Sequence, residues 1–207
     1  MKYRIADSGN NLQLTLKEEA EMLKTLEMRW FKPGDIPTSV REWFEKDCMG
    51  NGEGESRTDW YLIPIAPCDY LNIKFRQGRL EIKWREKQYP TVNLNSQWQG
   101  IMEAWVKWLC EAESMEGFLP QHQGWVAVEK ARSQRQVVLS PTARCNLELT
   151  QLRVKNQPWW TVGLESTGDE ESLSAIAQQL SQTCPETLTE KDASAYPHWL
   201  AQKVMLL

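Results

Sequence analysis

The segment from Leu71 to Arg85 constrains the fold more than any other stretch of the chain. Leu71, Ile73 and Phe75 alternate with Asn72, Lys74 and Arg76. That period of two sends successive side chains to opposite faces of a strand. Gln77-Gly78 then supplies a two-residue turn signal, because glycine accepts positive φ. On the return, Arg79, Glu81, Lys83 and Arg85 share one face and Leu80, Ile82 and Trp84 the other. With a two-residue turn, Lys74 falls opposite Glu81 and Phe75 opposite Leu80. Charge meets charge and apolar meets apolar, so the register of this hairpin is specified.

The same theme recurs along the chain. Thr25–Phe31 and Asp59–Pro64 read as strands. Residues 124–139 carry Lys130 and Arg132 on one face. Residues 145–154 carry Glu148 and Thr150 on one face, with Leu147, Leu149 and, at the far end, Leu152 on the other. Pro158–Ser166 sets Thr161, Gly163 and Glu165 in step. Other stretches repeat at three and four residues, the helical period. These are Thr15–Lys24, Ile36–Phe44 (capped by Thr38 or Ser39), roughly 96–114, Glu171–Thr183 and Tyr196–Val204. The 96–114 helix is the strongest of them, with Trp98, Ile101, Met102, Trp105, Trp108 and Leu109 on its apolar stripe. Residues 47–58 read as a polar, glycine-rich loop. Its glycines follow no strand and open no helix, so it is not a phosphate loop.

Strands with one apolar face and one ionisable face leave two architectures. Either the charged face meets bulk water, or helices cover the apolar face and the charged face turns inward. Solvent faces usually mix in Thr, Ser and Gln, whereas here alternate positions are mostly ionisable across five strands. The expected fold class is therefore α+β: an antiparallel β-barrel, or tunnel, with a charged lumen, covered outside by amphipathic helices. The candidate lumen holds Arg29, Lys74, Arg76, Arg79, Lys83, Arg85, Lys130 and Arg132 against Glu27, Glu81, Glu148 and Glu165. Such a lumen must be wet or filled by a ligand, because unpaired buried charge is too costly.

Composition narrows the partners. The chain of 207 residues carries a net charge of −4, which argues against a general nucleic-acid binder. A cationic interior in an acidic protein points instead to a small polyanion. Five cysteines without a CxxC pair and two distant histidines suggest neither a disulfide framework nor a His-based metal cluster. The N-terminus lacks the apolar core of a signal peptide, and no segment approaches the roughly 18 apolar residues of a membrane span. The expectation is one cytoplasmic domain over residues 1–207, with its core at 25–204 and no membrane or nucleic-acid partner. The sequence leaves the oligomeric state open.

The order of the charged strands resembles the CYTH superfamily, the triphosphate tunnel metalloenzymes. Thr25-Leu26-Glu27-Met28-Arg29 stands in the place of an ExExK strand, and Asp59-Trp60-Tyr61-Leu62 resembles a D-x-YL strand. Leu71–Arg76, Leu80–Arg85 and Val128–Arg132 resemble the basic strands. Leu147–Thr150 and Val162–Glu165 resemble the late acidic strands, and Tyr196–Leu200 the start of the C-terminal helix. The resemblance implies an eight-stranded tunnel that takes triphosphate or a similar phosphate compound. It implies Lys74, Arg76, Lys83, Arg85, Lys130 and Arg132 as phosphate-binding residues and Glu27 and Arg29 as catalytic residues. It also implies Mg²⁺ or Mn²⁺ held by Glu27, Glu148 and Glu165. Four positions depart from the pattern: Thr25, Thr150 and Gly163 stand where acids are usual, and Arg29 where lysine is. A hydroxyl or a missing side chain replaces an anionic ligand poorly. Three functions follow as expectations. They are a metal-dependent phosphohydrolase, a non-catalytic polyanion-binding protein, and a barrel scaffold with a Trp-rich helix (Trp98, Trp105, Trp108) as partner surface.

Overall fold

The computed structural model describes residues 22–46, 54–63, 68–110 and 124–204. Eight strands carry the fold: β1 (Leu23–Pro33), β2 (Glu55–Leu62), β3 (Leu71–Arg76), β4 (Arg79–Asn93), β5 (Gln99–Cys110), β6 (Trp125–Val138), β7 (Arg144–Val154) and β8 (Gln157–Ser166). They close into an antiparallel barrel in the order β1-β5-β4-β3-β2-β6-β7-β8, with β8 pairing back to β1. Closure removes every sheet edge. The helices are α1 (Thr38–Glu45), α2 (Glu170–Ser181) and α3 (Tyr196–Trp199), the last running on into a π-helical turn, Leu200–Val204.

The β3–β4 hairpin has the register that its alternation predicts, with Lys74 opposite Glu81 and Phe75 opposite Leu80. Gln77 and Gly78 both take positive φ, 49° and 79°, as a type I′ turn requires. Lys155 and Asn156, at 46° and 63°, do the same between β7 and β8. Alternation then sorts the barrel into two environments. Outward-facing Met28, Trp30, Leu147, Leu149, Val162 and Leu164 form a core with Val40, Trp43 and Phe44 of α1 and Leu173, Ile176 and Leu180 of α2. The two helices cover the outside, as expected. Asp169 caps α2 by accepting from the Ser172 N–H. The N-cap of α1 is Pro37, with no side-chain cap from Thr38 or Ser39.

The strongest helical expectation is overturned. Gln99–Cys110 is β5, paired with β1 and β4, and not the centre of a 96–114 helix. Its inward face is Glu103, Trp105 and Lys107, while Met102 and Val106 are buried on the other side. A tryptophan on the polar face and apolar residues on the other merge into a spacing of three and four, which hides the period of two. Trp98 and Trp105 are buried, so the Trp-rich partner helix does not exist among the described residues. Three smaller corrections follow. Glu55–Thr58, read as loop, belongs to β2, and Leu23–Lys24 begins β1 rather than ending a helix; residues 15–21, 47–53 and 111–114 lie outside the described set. Leu152 faces inward with the second core, not outward with Leu147 and Leu149.

That second core explains what α3 does. Phe31, Tyr61, Val128, Leu152 and Val154 turn inward at one end of the barrel and meet Tyr196, Trp199 and Leu200. Trp199 stacks on Phe31 at 4.4 Å and Tyr196 on Tyr61 at 5.2 Å. The C-terminal segment therefore fills one end of the lumen instead of covering the outside. No helix among the described residues is long and apolar enough to cross a membrane.

Candidate functional site: a one-ended cationic tunnel

The barrel interior holds a cavity of about 270 Å³. Every strand but β4's far half turns a polar side chain towards it: Glu27 and Arg29 from β1, Arg57 from β2, Asn72, Lys74 and Arg76 from β3, Lys83 from β4, Glu103, Trp105 and Lys107 from β5, Lys130, Arg132 and Gln134 from β6, Asn146 and Glu148 from β7, Glu165 from β8. Ala195, Tyr196 and Pro197 form the blind end. Lys74 and Lys83 retain 13% side-chain exposure and Lys130 4%, so the three lysines on which a tunnel depends do not face bulk solvent.

The predicted phosphate-binding residues separate. Lys74, Arg76, Lys83, Lys130 and Arg132 line the cavity. Arg85 does not; it is spent on Glu103 at 2.6 Å and Asp69 at 2.9 Å. Arg79, at the hairpin turn, is exposed. Sequence reasoning missed Arg57 and Lys107. Arg57 lay in the stretch taken for a loop, although Arg57-Thr58-Asp59-Trp60-Tyr61 already alternates. Lys107 lay in the stretch taken for a helix.

Most cations in the tunnel have an acid partner. Lys130 Nζ lies 2.9 Å from Asp59, which is fully buried, and donates to the Tyr61 hydroxyl at 2.6 Å. The ring of Tyr196 lies 3.9 Å away, a cation–π contact. Lys74 lies 2.7 Å from Glu81, which Arg76 also reaches. Arg132 bonds Glu55 at 2.9 Å. Burial raises the Asp59 carboxyl, but Lys130, Lys74 and Arg57 together hold it down at about 2. Burial dominates the two lysines: despite Glu81 and Asp59, Lys74 and Lys130 are both lowered to about 8.

Two features of the wall stand apart. Lys83, although paired with Glu27, is also the direct register partner of Lys107 across β4 and β5, and like charges placed opposite each other are unfavourable unless an anion joins them. The Tyr196 hydroxyl is buried without a hydrogen-bond partner among the described residues.

The three carboxylates that would hold a divalent cation are not assembled as a ligand set. Lys83 donates to Glu27 at 2.5 Å and Thr25 donates to it at 2.8 Å. Arg29 donates to Glu148 at 2.7 Å and Thr150 donates to the same oxygen at 3.1 Å. Glu165 has Lys83 at 3.9 Å. Among the described residues no three acidic, histidine or cysteine side chains converge as metal ligands would. Burial raises both carboxyls, but the cations prevail: Lys83 and Arg29 hold Glu27 below the ordinary carboxylate range, and Arg29, Lys130 and Arg132 hold Glu148 at about 2. The residues present are arranged for protein cations, and they do not fit Mg²⁺ or Mn²⁺.

No protein-family model matches the chain. No curated protein matches it either. Solved structures do. A candidate adenylate cyclase from Bacillus halodurans superposes with a TM-score of 0.50 and 11% identity, over 81% of this chain and 94% of that one. The capping enzyme triphosphatase of Mimivirus superposes with a TM-score of 0.46 and 9% identity, over 79% and 89%. At such identities the likeness is one of fold. The closed antiparallel eight-stranded barrel with its charged lumen is the architecture that the charged alternation and the resemblance both implied, and the chain shares its fold with the Bacillus halodurans protein.

Proposed function

We propose that this protein binds a compact polyphosphate-type anion, inorganic triphosphate or a small organic phosphate, inside the tunnel. The observation that carries the reading is the lining: eight Lys and Arg side chains converge on one blind cavity against four carboxylates. Phosphate oxygens match guanidinium and ammonium donors in charge and geometry. The volume supports a small ligand. About 270 Å³ lies just below the roughly 300–1,000 Å³ of pockets for drug-sized molecules, which favours a phosphate chain over a whole nucleotide. Lys83, Lys107, Lys74, Arg76 and Arg132 would take the phosphate oxygens, with Lys130 and the Tyr196 hydroxyl at the blind end.

A second reading, hydrolysis of the phosphoanhydride, is favoured by one feature. Glu165 is register partner to Glu27 and keeps 35% exposure in the tunnel wall, where it can orient a water molecule. Phosphoryl transfer asks for little beyond positioning and charge stabilisation.

Calorimetric titration of the full chain with sodium triphosphate tests the first reading, with phosphate release from the same mixture testing the second. Saturable 1:1 binding that is lost in Lys83→Ala supports the tunnel. Heat without saturation, or binding that survives Lys83→Ala and Lys107→Ala together, removes it. Binding without phosphate release leaves the binding protein as the function.

A further inference from the structure

We infer that Arg29 is a cation built into the tunnel in the place of a divalent metal, so that the polyanion is held by protein cations alone. The inference rests on the polyanion reading above and adds how the anion's charge is met.

The four departures from the resembled pattern form one compensated set. Gly163 pairs with Arg29 across β1 and β8. A Cβ built on Gly163 would lie 2.6 Å from both the Cζ and an Nη atom of Arg29. The φ of Gly163 lies outside the left-handed region, so glycine is needed for space, not for conformation. The guanidinium fills that space and reaches Glu148 across the β8 backbone at 2.7 Å. Thr25 and Thr150, where acids are usual, now donate hydrogen bonds to the acids that remain, Glu27 and Glu148. Each hydroxyl occupies a lone pair that a cation would otherwise use. The acids lost at three positions thus go with a cation that is widened from the usual ammonium to a forked guanidinium, with room for it, and with two donors.

The arrangement is also usable by a ligand. The two hydrogen bonds of Arg29 leave from Nη1, to Glu148 and Thr161. Nε and Nη2 make none among the described residues, and the residue lines the cavity. A guanidinium with a free edge is suited to two phosphate oxygens at once. It needs no dehydration of a hexahydrated metal and cannot dissociate.

The experiment uses the full chain, with sodium triphosphate and MnCl₂ as probes. Triphosphate is titrated by calorimetry in EDTA and again in excess Mg²⁺, and Mn²⁺ uptake without triphosphate is followed by the loss of the free-ion paramagnetic resonance signal. The expected result is binding in EDTA, weaker or equal binding in Mg²⁺, and no stoichiometric uptake of Mn²⁺. Binding that needs Mg²⁺, or tightens about tenfold or more with it, overturns the inference and leaves the polyanion reading standing. Stoichiometric Mn²⁺ uptake by the unliganded protein overturns it as well. Binding under neither condition removes both. For Arg29 itself, Arg29→Lys keeps the charge and loses the fork. Affinity in EDTA should fall about tenfold or more while Mg²⁺ gives no rescue, and unchanged affinity would take the role away from Arg29.

Discussion

Adding one methyl group at Gly163 should disturb the tunnel through a single contact. Gly163→Ala places a Cβ 2.6 to 2.8 Å from three guanidinium atoms of Arg29. Ordinary contact begins near 3.4 Å, so the guanidinium must retreat by about 1 Å, a distance that forfeits most of a good hydrogen bond. The bond at risk is the 2.7 Å bond to Glu148, between side chains only 11% and 12% exposed. Removing one partner of a buried pair costs about 3–5 kcal/mol. Displacement keeps the charge nearby, so the expected loss is smaller, about 1–3 kcal/mol, as for other overpacking changes. Alanine also restricts the unfolded chain, which returns about 0.4–1 kcal/mol. The net expectation is about 1–2 kcal/mol of destabilisation, read as a lower urea midpoint at unchanged slope. Triphosphate affinity in EDTA should fall about tenfold. In an Arg29→Ala background the same substitution should have no further effect on affinity, because the two changes act through one contact. A variant at least as stable as the parent, with unchanged affinity, would show that Arg29 does not depend on Gly163 for its position.

Asp59→Asn should destabilise the fold by about 3–5 kcal/mol, because Lys130 would be left buried without its carboxylate; chemical denaturation reads it. Tyr196→Phe should separate stability from binding: removing an unpartnered buried hydroxyl leaves stability equal or raises it by up to about 1 kcal/mol, while triphosphate affinity drops if that hydroxyl meets the ligand at the blind end. Since Lys74 and Lys130 titrate near 8 instead of 10.5, triphosphate affinity should be greatest below pH 8 and decline above it. Over the same window, from pH 8 to 10.5, the unfolded lysines hold more protons than the folded ones, so the unliganded protein should gain stability as pH rises. Calorimetry in buffers of different ionisation heat should show proton uptake on binding at pH 9. At the acid end, Asp59 and Glu148, held at about 2, stabilise the fold above their ordinary values of 3.8 and 4.5 and lose that contribution as pH falls towards 2. A midpoint of acid unfolding insensitive to Glu148→Gln would refute that assignment.

The alternation of charge was legible because it is a local property. A strand repeats every two residues, so Lys74 and Arg76, or Lys130 and Arg132, announce a shared face wherever the strand ends up. The β3–β4 register and the two-residue turn followed from the same rule, and α2 from its wide apolar stripe. Local rules failed where both faces of an element are apolar in part. Trp105 stands inside the tunnel between Glu103 and Lys107, and this one inward tryptophan made β5 resemble a helix. The glycine-rich run before Arg57 hid the start of β2 in the same way, although Asp59 and Tyr61 already showed the alternation.

The sequence by itself determined that charged faces exist, that they carry more base than acid, and that amphipathic helices are available to cover their backs. Only the tertiary structure decided which charge meets which. Arg29 and Glu148 are 119 residues apart, and no spacing rule connects them. They meet because β8 pairs with β1 and β7 with β8, with Gly163 leaving the gap between. In sequence, threonine, glycine and arginine at the acid and lysine positions read as losses. In the closed barrel the threonines donate to the surviving acids, the glycine makes room, and the arginine keeps the lysine's charge while adding a fork that reaches Glu148. Pair energies fall steeply with distance and rise with burial, and a one-dimensional chain specifies neither until the barrel closes.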